Sequence, residues 1–334
     1  MKNNLSYEIL RKEDLDIFFE FIQRHWKKKY IFIRDRNFFN WQFKNKKNKK
    51  YNFVIAKINH KIVGCIGFIP NSIYSTNFIN NDYLWLVNWV VDKDFNFVSL
   101  KLINFLLKKI KFSFIGTIGC TDKTYKILKA FGFQTGQLLH TVKKNSNYKN
   151  FLIGNFHNDK NQININKLTY DINKFNKKLL PIFFNKIKPI NSKDKKYFLN
   201  RYVNHPSYSY TLYGVWHLGT PVGFLVCRIC KFKKSKSLKI IDYHGKQINL
   251  SSLFNSFNKI FDKNTYEYVD FYFFNKIKLF QNELSFKVND QMIVPNYFEP
   301  FVKKNIQIKF AYYYQDKNCH PFLVRGDCDQ DRPS

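Results

Sequence analysis

Three residues capable of acid–base chemistry lie in apolar runs in the second half of the chain. Asp242 and His244 end the run 238–244, and Asp270 lies in the run 266–273. Such runs predict buried strands, and open α/β sheets place ligands at the carboxyl ends of their strands. A histidine flanked by two carboxylates has the chemistry of a general base. The sequence equally allows a hydrogen-bonded polar cluster between domains.

Residues 24–43 mix aromatic and charged side chains with no clean helical or strand period. In one interpretation the rings pack the corner between two helices and the charges face solvent, since Trp is highly buried on average. In the other, part of the stretch lines a substrate pocket. The residues predicted to contact substrate there are His25, Trp26, Tyr30, Arg34 and Trp41.

A second set of candidate substrate contacts lies near the carboxyl terminus. It consists of Arg325, Asp327, Asp329 and Arg332. The arginines are suited to a phosphate. The acids are expected either to pair with lysine or arginine or to face an amino sugar.

Two cysteine or acid patterns resemble metal motifs, but neither predicts a metal site. Cys227 and Cys230 are spaced C-x-x-C, and positions three apart on a strand point to opposite faces. Asp327, Asp329 and Asp331 match the start of a calcium loop, whose required glycine is replaced by arginine. We therefore expect no metal.

The segment 83–133 predicts the elements that position these residues. Apolar runs at 83–91 and 112–119 predict strands, and i, i+3, i+4 patterns at 98–107 and 124–133 predict helices. A strand at 7–11, a helix at 15–22 and a hairpin at 52–70 precede this unit.

The same order of elements recurs later in the chain. An Asn- and Lys-rich connector with short strands, 144–184, is followed by a strand at 187–190 and a helix at 194–202. A hairpin, a strand, a helix and a strand then follow at 210–229, 238–244, 250–261 and 266–273. This internal repeat predicts an amino-terminal domain, 1–143, and a carboxy-terminal domain, 185–334.

Composition restricts the class of protein. The chain has 334 residues, 45% hydrophobic and 19% aromatic, which excludes a disordered protein. Its formal net charge of +32 is spread over the whole length, so we expect no DNA partner but an attraction to acidic small molecules. We find no signal-peptide core and no apolar run of about 18 residues, and therefore predict a cytoplasmic protein without a membrane span.

Five strings resemble a known family. HKIVGCIGF, VNWVV and TYKILKAFGF, which begin at residues 60, 87 and 124, are similar to motifs of the GNAT acyltransferases. NYFEPF and RGDCDQDRP, which begin at 296 and 325, resemble tandem-GNAT proteins associated with surface-polysaccharide biosynthesis. The resemblance implies an α/β (α+β) fold of two tandem GNAT-like domains, each with a mixed, mostly antiparallel sheet flanked by helices.

The resemblance also implies acetyl-CoA or another acyl-CoA as co-substrate. The residues that would bind it are Trp89, Val90 and Val91 along the pantetheine, and Asn96, Ser99 and Lys101 at the pyrophosphate turn. This turn lacks the family's glycines. The position where family members often carry a catalytic tyrosine is Leu128, and Tyr125, one helical turn earlier, is the candidate replacement. An ordinary helix residue is the alternative for Tyr125.

The implied activity is N-acyl transfer from coenzyme A to the amine of a small amino sugar or sugar nucleotide in surface-glycan biosynthesis. Two alternatives stay open. The first is a non-catalytic GNAT-fold binding or scaffold protein, and the second is an aminoacyl-tRNA-dependent transferase. The sequence does not define the oligomeric state.

Overall fold

The structure is a computed structural model that describes residues 5–26, 30–45, 48–80, 82–156, 170–187, 193–263, 266–276, 280–281, 283–315 and 321–332. Contacts between Cα atoms divide the chain into two compact units. The N-terminal unit comprises Met1–Gln134, Ala311–Lys317 and Arg332–Ser334. The C-terminal unit comprises Thr135–Phe310 and Asn318–Asp331.

The strands are numbered in chain order. They are β1 Leu5–Ile9, β2 Phe53–Ile58, β3 Lys61–Pro70, β4 Tyr83–Val91, β5 Phe114–Ile118, β6 Gln134–Gln137, β7 Leu139–Lys144, β8 Asp171–Phe175, β9 Thr211–His217, β10 Thr220–Phe232, β11 Ser235–Gly245, β12 Ile248–Asn249, β13 Tyr266–Asn275, β14 Phe280–Gln281, β15 Lys309–Tyr314 and β16 Phe322–Val324. Strands β4, β11 and β13 include the apolar runs from which they were predicted.

The α-helices are numbered in the same way. They are α1 Leu15–His25, α2 Ile31–Arg34, α3 Arg36–Phe43, α4 Val98–Lys109, α5 Asp122–Ala130, α6 Leu180–Lys186, α7 Lys195–Phe198, α8 Leu250–Ser256 and α9 Asn258–Lys263. Helix α7 continues into a π-helical turn, Leu199–Val203. None of the helices in the described ranges has the length and apolar character needed to span a bilayer.

The N-terminal unit is built on a sheet with the order β1-β2-β3-β4-β5. Pairing is antiparallel up to β4, and β4 pairs with β5 in parallel. The β2–β3 turn contains Asn59 and His60 at φ 47° and 69°, as a tight hairpin requires. Helix α4 connects β4 to β5 and buries Val98, Leu102 and Leu106 against the sheet residues. This side of the sheet forms one part of the core; Phe53, which points to the other face, packs against the buried rings of Phe18 and Phe39.

The C-terminal unit repeats this topology. Its sheet has the order β8-β9-β10-β11-β13, antiparallel up to β11 and parallel between β11 and β13. Helices α8 and α9 stand between β11 and β13 in the chain, as α4 stands between β4 and β5. The predicted fold class, two mixed and mostly antiparallel sheets flanked by helices, is confirmed.

One repeated strand begins earlier than the pattern predicts. The strand equivalent to β1 is β8, Asp171–Phe175, which precedes the predicted strand 187–190. Residues 188–190 lie outside the described part of the chain, as does the stretch 157–169 of the predicted connector.

Candidate active site

Strands β4 and β5 pair over only three residues. Tyr83, Leu84 and Trp85 face Phe114, Ile115 and Gly116, and the pairing stops there. From Val87 to Val91, no strand in the described part of the chain pairs with β4 on the β5 side. This side of β4 is therefore open to an extended ligand that pairs with the strand backbone.

A β-bulge lies within this edge. Gly67 pairs with Val87 and Cys65 with Val90, so that Asn88 and Trp89 together oppose a single residue of β3. Asn88 has φ 47°, a conformation that asparagine tolerates better than most residues. Its side-chain nitrogen donates to the Tyr30 hydroxyl at 2.8 Å, whereas its Oδ1 is buried with no hydrogen-bond donor in the described residues.

Tyr30 is the centre of a small group of side chains. It is 2% exposed, its ring lies 6.0 Å from that of Trp26, and the guanidinium of Arg332 lies 5.3 Å above it. His25 ends α1, and its Nε2 lies 3.5 Å from Oδ2 of Asp92, the residue that follows β4. The structure thus brings four of the predicted substrate residues together beside the end of β4.

The other two residues of the predicted aromatic pocket lie elsewhere. Arg34 is exposed at the end of α2. Trp41 packs against Phe38 and Tyr74, with ring centroids 5.7 and 5.4 Å away. For Trp41, the structure shows the aromatic packing that was the alternative interpretation.

The turn after β4 leads directly to the start of α4. No side chain caps this helix, and Asn96 Nδ2 instead donates to the carbonyl of Lys93 at 2.7 Å. Phe97 is 56% exposed, and Lys101 Nζ lies 5.8 Å from its ring. Ser99 is half-buried and donates its N–H to the carbonyl of Asn96.

These residues fit an acyl-CoA. An extended pantetheine requires an unpaired strand edge, and β4 provides one that includes Val90 and Val91. A pyrophosphate is stabilised by an uncapped helix amino terminus with a nearby cation, as α4 and Lys101 provide. Trp89 Nε1 is a further buried donor without an acceptor in the described residues.

The two candidate positions for a catalytic tyrosine differ in environment. Leu128 is fully buried in the core of the N-terminal unit. Tyr125 is half-buried in α5, which begins shortly after the carboxyl end of β5. Of the two, only Tyr125 has a hydroxyl.

The corresponding opening in the C-terminal unit is filled by the chain itself. Strands β11 and β13 pair as far as Ile240 and Phe271. Phe273 pairs with both β7 and β16, so β16 must lie on the β11 side of β13. Gly326 N–H then donates to the carbonyl of Ile241 at 2.9 Å. Residues 322–326 therefore bridge the two strands where they diverge.

Gly326 allows this close approach. A Cβ at this position would lie 2.9 Å from the carbonyl oxygen of Ile241 and would collide with the hydroxyl of Tyr202. Arg201 Nη2 donates to the carbonyl of Gly326 at 3.2 Å. The backbone of this segment is thus fixed from two sides.

Buried ion pairs hold the same segment. Lys193 Nζ lies 2.7 Å from Asp242 Oδ2 and 2.7 Å from Asp327 Oδ1, and the Tyr202 hydroxyl donates to Asp242 at 2.6 Å. Burial opposes the charge of Lys193, but Asp242 and Asp327 outweigh it and raise the pKa of the ammonium. Asp242 and Asp327 thus share one cation.

A second buried cluster surrounds Asp331. Arg228 donates to Asp331 Oδ1 from Nη2 at 2.7 Å and from Nε at 3.1 Å, and the Tyr210 hydroxyl donates to Oδ2 at 2.8 Å. Arg325 Nε lies 3.4 Å from the same carboxylate. Burial opposes ionisation, but the two arginines outweigh it and hold the pKa of Asp331 well below its usual range. Asp329, also buried, lies between Asp327 and Asp331 in the chain.

Asp270 and His244 have different surroundings. Asp270 Oδ2 lies 2.7 Å from Lys239 Nζ and 2.9 Å from His140 Nε2. His244 is fully buried, and neither ring nitrogen has a hydrogen-bond partner in the described residues. Burial lowers the pKa of His140 to about 4 and that of His244 to about 3.

His244 is surrounded by the rings of three phenylalanines. Those of Phe184, Phe224 and Phe198 lie 4.3, 5.1 and 5.5 Å from the imidazole. The three residues predicted as an acid–base group thus have separate partners. Asp242 pairs with Lys193, Asp270 pairs with Lys239, and His244 packs against phenylalanine rings.

Sequence reasoning missed Asn88, Asp92 and Lys193. A signal existed for Asn88, which is the one polar residue in an apolar run and a type that tolerates positive φ. Asp92 directly follows the apolar run 83–91, and nothing in the local sequence relates it to His25. Lys193 lies 134 positions from Asp327, and no local pattern relates two such residues.

Comparison with known proteins agrees with this architecture. Neither protein-family models nor curated proteins match the sequence. Among solved structures, a GCN5-related N-acetyltransferase from Anabaena variabilis superposes with a TM-score of 0.55 at 10% identity, over 93% of this chain and 73% of its own. The glucosamine N-acetyltransferase region of a fungal multi-domain β-N-acetylglucosaminidase gives 0.53 at 11% identity, over 94% of this chain and 38% of that protein.

A conserved protein from Enterococcus faecalis gives a TM-score of 0.49 at 10% identity and covers 80% of this chain. The chain spans 64% of the length of that protein. At these identities the likeness defines the fold alone, and the chain has the GNAT fold.

Proposed function

We propose that the chain is an N-acyltransferase whose active site lies in the N-terminal unit. The observation that carries the proposal is the unpaired, bulged edge of β4 beside an uncapped α4. The equivalent edge of β11 is bridged by residues 322–326 and is therefore closed to an extended ligand. The C-terminal opening then takes no part in acyl-CoA binding.

The N-terminal unit has groups for each task in such a reaction. An acyl-CoA, when bound, supplies the activated acyl group. The edge of β4 would hold its pantetheine by backbone hydrogen bonds, and the start of α4 with Lys101 would hold its pyrophosphate. Backbone N–H groups near Val91 would stabilise the oxyanion.

Proton transfer falls to His25, beside the end of β4, and to Tyr125 in α5. Because His25 Nε2 is directed at Asp92, its Nδ1 is the nitrogen that accepts the proton of the attacking amine. Tyr125 supplies a proton to the leaving thiolate, and the hydrogen bond from Asn88 fixes Tyr30, which is buried beside Trp26. Each amide bond formed thus releases one thiol, after which the histidine gives its proton to solvent and Tyr125 regains one from solvent.

The acceptor we propose is a small amino sugar or sugar nucleotide, used in the cytoplasm for a surface glycan. The ring of Trp26, 43% exposed, suits a sugar ring, and Arg332 beside Tyr30 suits a phosphate. The net charge of +32 favours an anionic acceptor. The glucosamine N-acetyltransferase region that shares the fold supports an amino sugar by analogy only.

The direct test is thiol release from acetyl-CoA with a panel of UDP-linked amino sugars. His25→Ala is expected to lower kcat about 100-fold or more, since general base catalysis typically contributes 10²–10⁴-fold. The matched control is His60→Asn, a histidine in the exposed β2–β3 turn, which should retain activity. Absence of thiol release with every amine would contradict the proposal.

A non-catalytic GNAT-fold binding protein is the second candidate. The glycine-free turn 94–101 and the core position of Leu128 favour it, because both sites depart from the family pattern. In this case the full chain would bind a UDP-amino sugar in calorimetry without releasing thiol from acetyl-CoA.

A further inference from the structure

A cavity of about 860 Å³ lies in the C-terminal unit, away from the diverging ends of β11 and β13. It is lined by the loop that follows β7 and by residues of the turn before β11. Lys144, the last residue of β7, pairs with Tyr268 near the start of β13. The cavity therefore opens at the end of the sheet where β11 and β13 begin.

The walls of this cavity are positively charged. Among the described residues that line it, none is a carboxylate and four are lysines: Lys144, Lys149, Lys234 and Lys303. The nearby carboxylate of Glu267 is fully buried and accepts the N–H groups of Leu152, Ile153 and Gly154 at 2.7–3.0 Å. The carboxylate is thus hydrogen-bonded to the loop backbone and does not face the cavity as a free anion. The field in the cavity favours an anion.

Aromatic rings form the rest of the binding surface. The ring of Phe151 lies 5.5 Å from that of Tyr148 and 5.0 Å from that of Phe156. All three are half-buried, so part of this aromatic cluster reaches the cavity wall. Rings of this kind stack on planar heterocycles with about 1–3 kcal/mol per base.

The loop that carries these residues is held at both ends. At one end, Asn145 donates its N–H to the carbonyl of Glu267 and its Nδ2 to that of Tyr266, both at 2.9 Å. Asn155 exchanges two backbone hydrogen bonds with Ile293, both at 2.8 Å. The Tyr148 hydroxyl lies 3.0 Å from Ser235 Oγ. A loop fixed in this way loses little conformational entropy on binding a ligand.

We propose that this cavity binds a nucleoside diphosphate, with the base against the aromatic rings and the phosphates on the lysines. Its volume lies in the range of roughly 300–1,000 Å³ that is typical of small-molecule sites. The cavity shares no residue with the β4 edge or with α4. The proposal is thus independent of the acyl transfer proposed above.

Calorimetry with the full chain tests the proposal, with UDP and ADP as probes and uridine and inorganic pyrophosphate as fragments. Each diphosphate is expected to bind at least tenfold more tightly than either fragment. Lys149→Glu/Lys234→Glu should weaken UDP binding at least tenfold. Phe151→Ala should weaken UDP binding while leaving that of pyrophosphate within about twofold.

The matched control is Lys195→Glu/Lys196→Glu, the same change of charge at two exposed lysines of α7. It should leave UDP binding within about twofold. Equal weakening by the two double variants would mean that only the overall charge acts, and would overturn the proposal. Absence of UDP and ADP binding, or weakening only by Lys101→Glu, would overturn it too. Circular dichroism verifies that each variant is folded.

Discussion

The divergence of β4 from β5 and that of β11 from β13 are the same feature in two repeats. Both openings follow a parallel pairing. In addition, β4 and β11 each carry one extra residue against their antiparallel neighbours, β3 and β10. In the N-terminal unit the edge beyond the pairing is unpaired, whereas in the C-terminal unit residues 322–326 occupy it.

The first helix after each opening also differs in the capping of its amino terminus. Asn249 caps α8 by accepting the N–H of Ser252, whereas no side chain caps α4. A side chain therefore satisfies one of the first N–H groups of α8, whereas none does so in α4. The fold is shared, but the occupant of the opening determines what each repeat does.

The largest effect should come from breaking the ion cluster that closes the C-terminal opening. Lys193→Met leaves Asp242 and Asp327 buried without their cation, which typically costs about 3–5 kcal/mol. Lys195→Met, at an exposed lysine nearby, should change stability by less than about 0.5 kcal/mol. Urea denaturation at pH 7 measures both. A similar small effect of the two variants would show that the cluster does not hold the segment.

Acid should destabilise the C-terminal unit through its buried histidines. Burial lowers the pKa of His140 to about 4 and those of His205 and His244 to about 3. Unfolding raises each pKa, so the unfolded chain binds more protons below pH 6.5 and stability falls as the pH drops toward 4. The expected slope is about 1.4 kcal/mol per pH unit for each histidine.

Hydrogen exchange of the full chain in denaturant, at several pH values between 7 and 4.5, measures this dependence in each unit. The N-terminal unit should show the weaker pH dependence, because none of these histidines belongs to it. Equal slopes in the two units would contradict the assignment.

A smaller effect is expected from the hydrogen bond that fixes Tyr30 beside β4. Asn88→Gly keeps the positive φ but removes the donor, and Tyr30→Phe removes the acceptor. Each should lower kcat/KM about five- to tenfold, since such a bond is worth about 1 kcal/mol. The double variant should lose no more than either single variant. Additive losses would show that the two side chains act separately.

The smallest effect should come from His244→Phe. The imidazole is surrounded by phenylalanine rings, and its nitrogens have no partner in the described residues. Replacing an unsatisfied polar group by an apolar one of similar shape is neutral or stabilising. We expect a change within about 1 kcal/mol in stability and within about twofold in kcat. A loss of activity above 100-fold would make His244 a catalytic base.

Sequence alone predicted the strands and helices better than the contacts that their side chains make. Strand β4 follows from an apolar run because burial on both faces leaves a local signature, and the repeat follows from the order of such runs. The partners of Asp242, Asp270 and Asp331 do not follow, because ion pairs between distant segments have no period. The sequence around Gly326 and Cys328 likewise gives no sign that this segment contacts the backbone of β11.

The central claim is that acyl-CoA binds the N-terminal opening and not the C-terminal one. Hydrogen–deuterium exchange of the full chain with and without acetyl-CoA tests it directly. The account predicts slower exchange at residues 86–101, where β4 and α4 meet, and no change at residues 238–245 or 322–329. Protection of the C-terminal segments without protection of 86–101 would contradict it.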